Sequence, residues 1–348
     1  MRYLVFSDLH FFRGRPYLAD TCKWIADTII QQRPNEVVFC GDLNHSHNYI
    51  ETDTLHDMAE AISVIASATA DVTGHQLWAL SGNHDTTLRN SGKNVIEAIA
   101  ALNDNIHAVT EPFGTVDTLF APHPPQDKEG MERYMAELIK FSHKQELLFG
   151  HLELADVRYT PASPHATDHP FVVPSHVRHI VNGHYHHPDR LEVAGKDIVI
   201  VGSPCYHTYA DMLVDQPRGV LILDRNSPEL RVTRIANPHG PIYHTIETLQ
   251  IPAVNLHPDV ARMMLRVKIT DQEDYEKWKP AIMRLREVCK SVRVIGKTAE
   301  ATTQIYKAET STISSVDPMS MLQSYVAKKT IPRHIAEYGE KILKGVVK

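Results

Sequence analysis

The sequence predicts an α/β protein, because short apolar runs alternate with longer amphipathic stretches throughout the first 235 residues. The composition of the 348 residues agrees with a globular chain, with 43% hydrophobic and 22% charged residues. No apolar run approaches the ~18 residues that span a bilayer, so a transmembrane protein is excluded and no membrane partner is expected. The N-terminus lacks the pattern of a secretory signal, and we therefore expect a cytoplasmic protein.

Short apolar runs predict buried strands, and most of them are closed by glycine or polar turn residues. The predicted strands cover residues 3–6, 37–40, 76–80, 116–121, 146–149, 180–181, 198–201, 219–223 and 230–235. Between them, longer stretches carry apolar residues at helical spacing, as Trp24, Ile25 and Ile29 do. The predicted helices cover residues 17–32, 52–70, 92–102 and 128–144.

A different organisation follows Asn-Pro-His-Gly-Pro at 237–241, which predicts a domain boundary. Residues 264–269 alternate like a half-exposed strand, 272–290 predict a charged amphipathic helix, and 292–295 predict a further strand. We therefore expect a small β-α-β unit, followed by a linker and two short amphipathic helices in 318–346. The predicted domains are 1–240, 241–300 and 301–348.

Histidine and charge are distributed unevenly along the chain. Of the 22 histidines, 19 lie in the first 240 residues. The net charge of the chain is −6, yet its last 108 residues carry 17 Lys and Arg against 12 Asp and Glu. An acidic, histidine-rich part indicates bound cations, and a basic C-terminal part could face an anionic partner. The four cysteines are far apart and include no C-x-x-C pair, which argues against a disulfide framework or a zinc finger.

Polar side chains follow five of the predicted strands at the point where each strand ends. They are Asp8, His10, Asp42, Asn83, His84, Asp85, His151, His184 and His186. Because strand carboxyl ends form the ligand crevice of an open α/β sheet, we expect these side chains to meet at one rim. Carboxylate, imidazole and amide ligands together suit Mn, Fe or Zn. Seven potential ligands among these nine side chains are more than one tetrahedral ion needs, and they suit two ions that share a carboxylate.

The motifs D-x-H, G-D, G-N-H-D, an isolated His and G-H-x-H occur in this order and resemble those of the calcineurin-like metallophosphoesterases. The resemblance implies a sandwich of two β-sheets flanked by helices, and two divalent ions that activate water for attack on phosphorus. We expect manganese, with magnesium, iron and zinc as alternatives. The implied ligands are Asp8, His10 and His186 for one ion, Asn83, His151 and His184 for the other, and Asp42 as the bridge. His84 would be catalytic beside the scissile phosphate, and Asp85 would orient the His84 ring through a hydrogen bond.

The segment Gly41-Asp42-Leu43-Asn44-His45 is similar to the G-D-x-x-H variant of the SbcD-type nucleases of bacteria and tailed phages. The resemblance implies that His45 helps to place a DNA strand, and His47 and His123 could also lie near the rim. It further implies a Mn-dependent DNA exonuclease and endonuclease subunit in double-strand-break repair and recombination. Residues 241–300 would be its capping domain, and the C-terminal helices would dock on an SbcC-type coiled-coil ATPase. Within that complex a homodimer is expected, in the host cytoplasm if the chain is phage-encoded.

Two alternatives remain open. A metallophosphodiesterase or phosphatase acting on small phosphoesters or phosphoproteins would use the same ligands, but it would leave 241–348 without an obvious role. A non-catalytic scaffold of the same fold is disfavoured, because such a protein should have lost His84 or several ligands. The net charge of −6 predicts weak DNA binding by the isolated chain, since nonspecific affinity comes from Lys and Arg at phosphates.

Overall fold

The structure is a computed structural model that describes residues 1–296, except 14, 16, 48, 87–92, 142–144, 159–170, 214–215 and 226–228. It contains two compact units. Of the described residues, the first comprises those in Met1–His244 and Ala261–Met264, and the second comprises Thr245–Val260 and Leu265–Gly296. The predicted linker and C-terminal helices lie outside the described residues.

A mixed six-stranded sheet forms one layer of the first unit. In spatial order its strands are β12 (Arg231–Ala236), β11 (Gly219–Asp224), β1 (Arg2–Phe6), β2 (Glu36–Phe39), β3 (Leu77–Leu80) and β4 (Ile106–Val109). Strands β1 to β4 are parallel, with Leu4 opposite Val37, whereas β11 and β12 are antiparallel to their neighbours. The carboxyl ends of β1, β2 and β3 therefore lie side by side.

A second mixed six-stranded sheet forms the other layer. In spatial order its strands are β5 (Phe113–Gly114), β6 (Thr118–Ala121), β7 (Leu147–Gly150), β8 (His179–Asn182), β10 (Lys196–Ile200) and β9 (Asp189–Val193). The central strands β6, β7, β8 and β10 are parallel, and the edge strands β5 and β9 are antiparallel. The carboxyl ends of β7 and β8 are thus neighbours as well.

Helices cover both sheets, as the alternation of side chains along β1 requires. Leu4 and Phe6 pack on the helix side of the first sheet, against α1 (Tyr17–Gln32), α2 (Thr52–Thr73) and α3 (Val95–Ala100). Tyr3 and Val5 face the other way, into a core shared by the two sheets that also contains Phe149. A third core lies between the second sheet and α4 (Lys128–Phe141). The expected sandwich of two sheets flanked by helices is confirmed.

Several short strands were not predicted from the sequence. Strand β9 has the sequence Asp-Arg-Leu-Glu-Val and lies at a sheet edge with its charged residues exposed, so it lacks an apolar run. Strands β4 and β5 span only four and two residues. Their pairing with neighbours, rather than their own sequence, makes them strands.

A third sheet has three strands, β13 (Ile242–Glu247), β14 (Met263–Ile269) and β15 (Ser291–Gly296), in that order. The helices of the second unit are α5 (Ile251–Asn255) and α6 (Gln272–Val288), and α6 begins after Asp271, whose side chain accepts a hydrogen bond from the Asp274 amide. The expected β-α-β arrangement is present as β14, α6 and β15, with β13 as an unpredicted third strand. None of the described helices is long and apolar enough to cross a membrane.

Candidate metal centre

Strand ends from both sheets meet at one site in the first unit. The seven predicted ligands follow these strands as Asp8 and His10 after β1, Asp42 after β2, Asn83 after β3, His151 after β7, and His184 and His186 after β8. Close packing of the two sheets brings them together. A Cβ atom on Gly183 would lie 2.2 Å from Ser7 Oγ and 2.4 Å from the Cys40 carbonyl oxygen, so only glycine allows this approach.

The first cluster consists of Asp8, His10 and His186. The Nε2 atoms of His10 and His186 are 2.9 Å apart, and His10 Nε2 lies 3.9 Å from Asp8 Oδ1. Asp8 is fully buried, and neither of its carboxylate oxygens has a hydrogen-bond partner among the described residues. A buried carboxylate is costly unless a charge compensates it, and burial raises the pKa of Asp8 to about 6. These features fit a bound cation.

The second cluster consists of Asn83, His151 and His184. Asn83 Oδ1 lies 3.0 Å from both His151 Nε2 and His184 Nδ1, and these two nitrogens are 3.3 Å apart. His151 Nδ1 donates a hydrogen bond of 2.6 Å to the Cys40 carbonyl oxygen. This bond places a proton on Nδ1 and orients Nε2 toward the site, as partners of metal-binding histidines usually do.

Asp42 lies between the two clusters. Its Oδ2 atom is 3.4 Å from both His10 Nε2 and His151 Nε2, and its Oδ1 atom accepts a 2.9 Å hydrogen bond from the His84 amide. Burial alone would raise the pKa of Asp42, but the neighbouring histidines hold it well below its usual value. The structure therefore brings all seven predicted ligands together, and a carboxylate that faces both clusters fits two cations.

The backbone at this site is held in an uncommon conformation. Asp8, His10, Asp42 and His184 have φ angles of 57°, 48°, 62° and 72°, in the left-handed region. Such residues cost about 1–3 kcal/mol each and persist only where the surrounding structure enforces them. Four of the seven ligands are thus positioned at the expense of stability, which is typical of functional sites.

Three histidine rings lie in a row beside Asp42. The ring centroid of His84 is 4.1 Å from that of His47 and 5.7 Å from that of His45, and both pairs are stacked. The ring of His45 also meets His10 edge-on at 5.4 Å. Burial lowers the pKa of His84, and it lowers the pKa of His45 to about 4, so both rings are neutral at neutral pH. His45 therefore lies beside the first cluster and His84.

Asp85 has partners other than the expected one. Its carboxylate accepts hydrogen bonds of 2.8–3.0 Å from the backbone amides of Gly82, Asp42, Leu43 and Asn44. His84 instead uses Nδ1 to donate to the His45 carbonyl oxygen at 2.6 Å. The expected contact between Asp85 and the His84 ring is therefore wrong. Asp85 is buried and joins the loops after β2 and β3, which places Asp42 and Asn83 relative to each other.

A segment that was not predicted to be part of the site also contributes to it. The ring of His207 lies 5.4 Å from that of His10 and 5.6 Å from that of His186. Ser203 Oγ and His207 Nε2 both donate to the Asp8 carbonyl oxygen, at 3.0 and 2.9 Å. These residues follow β10, a parallel neighbour of β8, so the carboxyl-end rule applied to this strand would have found them.

Two cavities open at the site. One of about 370 Å³ is lined by four of the predicted ligands and three further residues: Asp42, Asn83, His184, His186, His84, His187 and Asp211. A larger one, of about 570 Å³, adjoins Asn83 and is lined by His47 and His123 among other residues. The ring of His123 stacks on that of His184 at 6.2 Å. His47 and His123 therefore lie at the rim, where they could meet a substrate.

The family model for calcineurin-like phosphoesterases matches residues 1–188, which is more than half of the chain. The chain belongs to the calcineurin-like phosphoesterase family. Its members are metal-dependent phosphoester hydrolases with a dinuclear metal centre, in agreement with the two clusters joined by Asp42. The predicted enzyme class is confirmed at this level.

Solved structures with a similar fold have low sequence identity. The anchor protein GAP50 of the Plasmodium inner membrane complex is 11% identical, with a TM-score of 0.43, 70% of this chain and 86% of that chain covered. An archaeal phosphodiesterase is 13% identical, with a TM-score of 0.35 and coverages of 68% and 100%. A dimetal phosphatase from Danio rerio is 13% identical, with a TM-score of 0.36 and coverages of 64% and 92%. No curated protein matches the sequence.

Proposed function

We propose that the chain is an SbcD-type, Mn-dependent DNA exonuclease and endonuclease subunit. The position of His45 carries the proposal. This histidine completes the G-D-x-x-H variant of the motif, and one ring nitrogen of each of His10, His45 and His84 falls in a group of atoms within 4.8 Å of one another. A residue that this motif variant adds to the family pattern thus lies where a phosphodiester would be cleaved.

The described residues have distinct roles in this reaction. Two divalent ions held by the clusters would neutralise phosphate charge and lower the pKa of an attacking water. Asp42 holds both clusters at a fixed separation, since it contacts a histidine of each at 3.4 Å. His84 has its Nδ1 proton committed to the His45 carbonyl oxygen, so it exchanges protons with substrate through Nε2. A bound phosphate, being anionic, would raise the lowered pKa of His84 and let it protonate the leaving oxygen.

Partners would supply what the chain lacks for DNA binding. The acidic net charge of −6 disfavours autonomous binding, whereas the last 108 residues have 17 basic against 12 acidic side chains. In this proposal the segment 301–348 binds an SbcC-type ATPase, 241–300 selects DNA ends, and two nuclease subunits assemble in the complex. We expect the isolated chain to bind duplex DNA weakly and in a salt-sensitive way, and the complex to bind tightly.

The test is hydrolysis by the full chain, freed of metal with EDTA and reloaded separately with Mn²⁺, Mg²⁺ or Zn²⁺. Linear duplex DNA, single-stranded DNA and bis(p-nitrophenyl) phosphate serve as substrates, with and without an SbcC-type ATPase. Digestion of DNA that is fastest with Mn²⁺ and lost in His84→Ala supports the proposal. Hydrolysis of the small diester without any DNA cleavage, even with the ATPase present, overturns it.

One observation favours a second candidate, a phosphodiesterase or phosphatase acting on small phosphoesters. The cavity of about 570 Å³ beside Asn83 has a volume in the range of about 300–1,000 Å³ that is common for small-molecule sites. Its rim includes acidic as well as basic side chains, such as Glu97, Glu137, Lys93 and Arg133. A compact substrate could fill it, and a screen of phosphomonoesters and cyclic nucleotides would then give a far higher kcat/KM than DNA.

A further inference from the structure

We propose that the exposed ring of Phe12 is a stacking site for a nucleobase of the DNA strand, close to the cleavage position. The inference rests on the proposed nuclease function and adds to it a residue that selects nucleic acid over small phosphoesters. The ring of Phe12 contacts His45 and Arg15, neither of which is a predicted metal ligand, so its role can be separated from the chemistry.

The backbone holds Phe12 in place. The preceding residue, Phe11, is only 4% exposed and pairs with Asn44 in an isolated β-bridge. The amide of Phe11 donates to the Leu43 carbonyl oxygen at 2.8 Å, and the amide of His45 donates to the Phe11 carbonyl oxygen at 3.2 Å. Because Phe11 points into the core, Phe12 points outward, and the residue is 48% exposed.

Ring contacts connect Phe12 to the catalytic residues. Its ring meets that of His45 at 5.2 Å between centroids, and His45 stacks on His84 at 5.7 Å. Two ring contacts therefore separate Phe12 from His84. Along a DNA strand, Phe12 therefore lies at most a few nucleotides from His84, because bases in a stacked strand are about 3.4 Å apart.

A cation lies beside the same ring. The Arg15 guanidinium carbon is 5.8 Å from the centroid of Phe12, and its Nη1 atom donates to the His10 carbonyl oxygen at 3.0 Å. Proteins that bind single-stranded nucleic acid combine an aromatic face with a nearby arginine. The base stacks on the aromatic ring, and the phosphate interacts with the guanidinium group. A small phosphoester that reaches only the metal ligands would not touch Phe12.

Exposed apolar side chains are common on protein surfaces and are not sites by themselves. Ile30 provides a matched comparison. It is 53% exposed and lies in the last turn of α1, which precedes β2 and is thus at the amino end of the sheet. Phe12 differs because its contacts lead directly to the rings at the metal centre.

The experiment compares Phe12→Ala, Phe12→Leu and Phe12→Trp with Ile30→Ala and the wild type in the full chain, loaded with Mn²⁺ and with the ATPase present. The substrates are a single-stranded oligonucleotide, a set of the same oligonucleotides with one abasic position moved stepwise along the strand, and bis(p-nitrophenyl) phosphate. Thermal unfolding of each variant verifies that the fold is intact.

We expect KM for the intact oligonucleotide to rise about tenfold in Phe12→Ala and Phe12→Leu, because both lack an aromatic face. Phe12→Trp and Ile30→Ala should stay within about twofold of the wild type, and so should hydrolysis of the small diester by every variant. When the abasic position falls at the base that stacks on Phe12, KM of the wild type should also rise about tenfold. KM of Phe12→Ala should not rise further at that position, because the stacking contact is already lost.

Three results would overturn the inference while leaving the nuclease function intact. The first is an unchanged KM in Phe12→Ala. The second is a rise of KM in Phe12→Ala that is the same at every abasic position. The third is an equal loss of activity on DNA and on the small diester. The last result would mean that Phe12 only supports His45. A wild type that hydrolyses the small diester but never cuts DNA would overturn the proposed function itself, and the inference with it.

Discussion

The first and second clusters meet at Asp42, but they differ in the hydrogen bonding of their other oxygen ligand, Asp8 or Asn83. In the second cluster the ligand atoms contact one another, and Asn83 Oδ1 lies 3.0 Å from a nitrogen of each histidine. In the first cluster the buried carboxylate of Asp8 has no hydrogen-bond partner among the described residues. Without metal, burial alone would lower the pKa of His151, but Asp42 raises it to about 9, so Nε2 carries a proton and can donate to Asn83 Oδ1. The second cluster is thus satisfied by its own hydrogen bonds, whereas the first contains a buried carboxylate without one.

This difference indicates which half of the centre depends on a cation for its stability. A ligand set that is satisfied without metal keeps its geometry when the ion leaves, and binding adds only coordination energy. A set that contains a buried carboxylate without a hydrogen bond is destabilising when empty, and ion binding relieves that cost. We therefore expect the first cluster to couple metal binding to folding more strongly than the second.

The largest effect is expected where the two clusters join. Asp42→Asn keeps the shape of the side chain but removes the charge that faces His10 and His151 at 3.4 Å. We expect phosphodiester hydrolysis to fall on the order of 10³-fold or more, because both halves lose a shared anionic ligand. Hydrolysis of bis(p-nitrophenyl) phosphate across a range of Mn²⁺ concentrations measures it, and activity within tenfold of wild type would contradict a bridging role.

A smaller loss of rate is expected from His84→Ala, which removes a ring belonging to neither cluster. Hydrolysis should fall about 100-fold or more, since a positioned general acid contributes about that much. The number of bound Mn²⁺ ions, counted by elemental analysis after dialysis, should stay at the wild-type value. Loss of one ion together with activity would instead make His84 a ligand.

The arrangement of the ligands was largely predictable from the sequence. An apolar run that is followed by Gly-Asp or Gly-Asn-His-Asp indicates both a strand and the position of its carboxyl end. Asp8, Asp42 and Asn83 could be placed on one rim by that rule alone. The partners of Asp85 could not be predicted in this way, because its four backbone donors belong to two loops that only the fold brings together. His207 was missed for a different reason: the same rule was not applied to β10, because the segment from Ser203 to His207 has no recognisable motif.

Removal of the charge in the first cluster should stabilise the metal-free protein. Burial raises the pKa of Asp8 from about 3.9 to about 6, so the folded state binds this proton more tightly than the unfolded chain. Asp8 therefore lowers the stability of the metal-free protein as the pH rises from 4 to 6, by on the order of 2–3 kcal/mol. Asp8→Asn lacks this contribution. In EDTA it should be more stable than wild type at pH 7 by about that amount, and no more stable at pH 4.

Urea unfolding of both proteins at pH 4 and pH 7 measures that difference, and repetition with saturating Mn²⁺ is the control. The ions should stabilise wild type more than Asp8→Asn, so that the advantage of the variant shrinks or reverses. If Asp8→Asn is instead less stable than wild type in EDTA at pH 7, Asp8 already has a compensating partner and the contrast between the clusters fails.

Removal of the oxygen ligand in the second cluster should lower the stability of the metal-free protein, and by less than Asp8→Asn raises it. Asn83→Ala removes the oxygen that lies 3.0 Å from His151 and from His184, and it leaves two buried nitrogens without that partner. We expect the metal-free protein to lose about 1–2 kcal/mol of unfolding free energy at pH 7, because each such hydrogen bond contributes about 0.5–1.5 kcal/mol. Asn83→Asp keeps an acceptor oxygen and should lose less, which separates the hydrogen bonds from packing. A gain in stability for Asn83→Ala in EDTA would mean that the second cluster, like the first, is strained when empty, and the two halves of the centre would then depend on their ions alike.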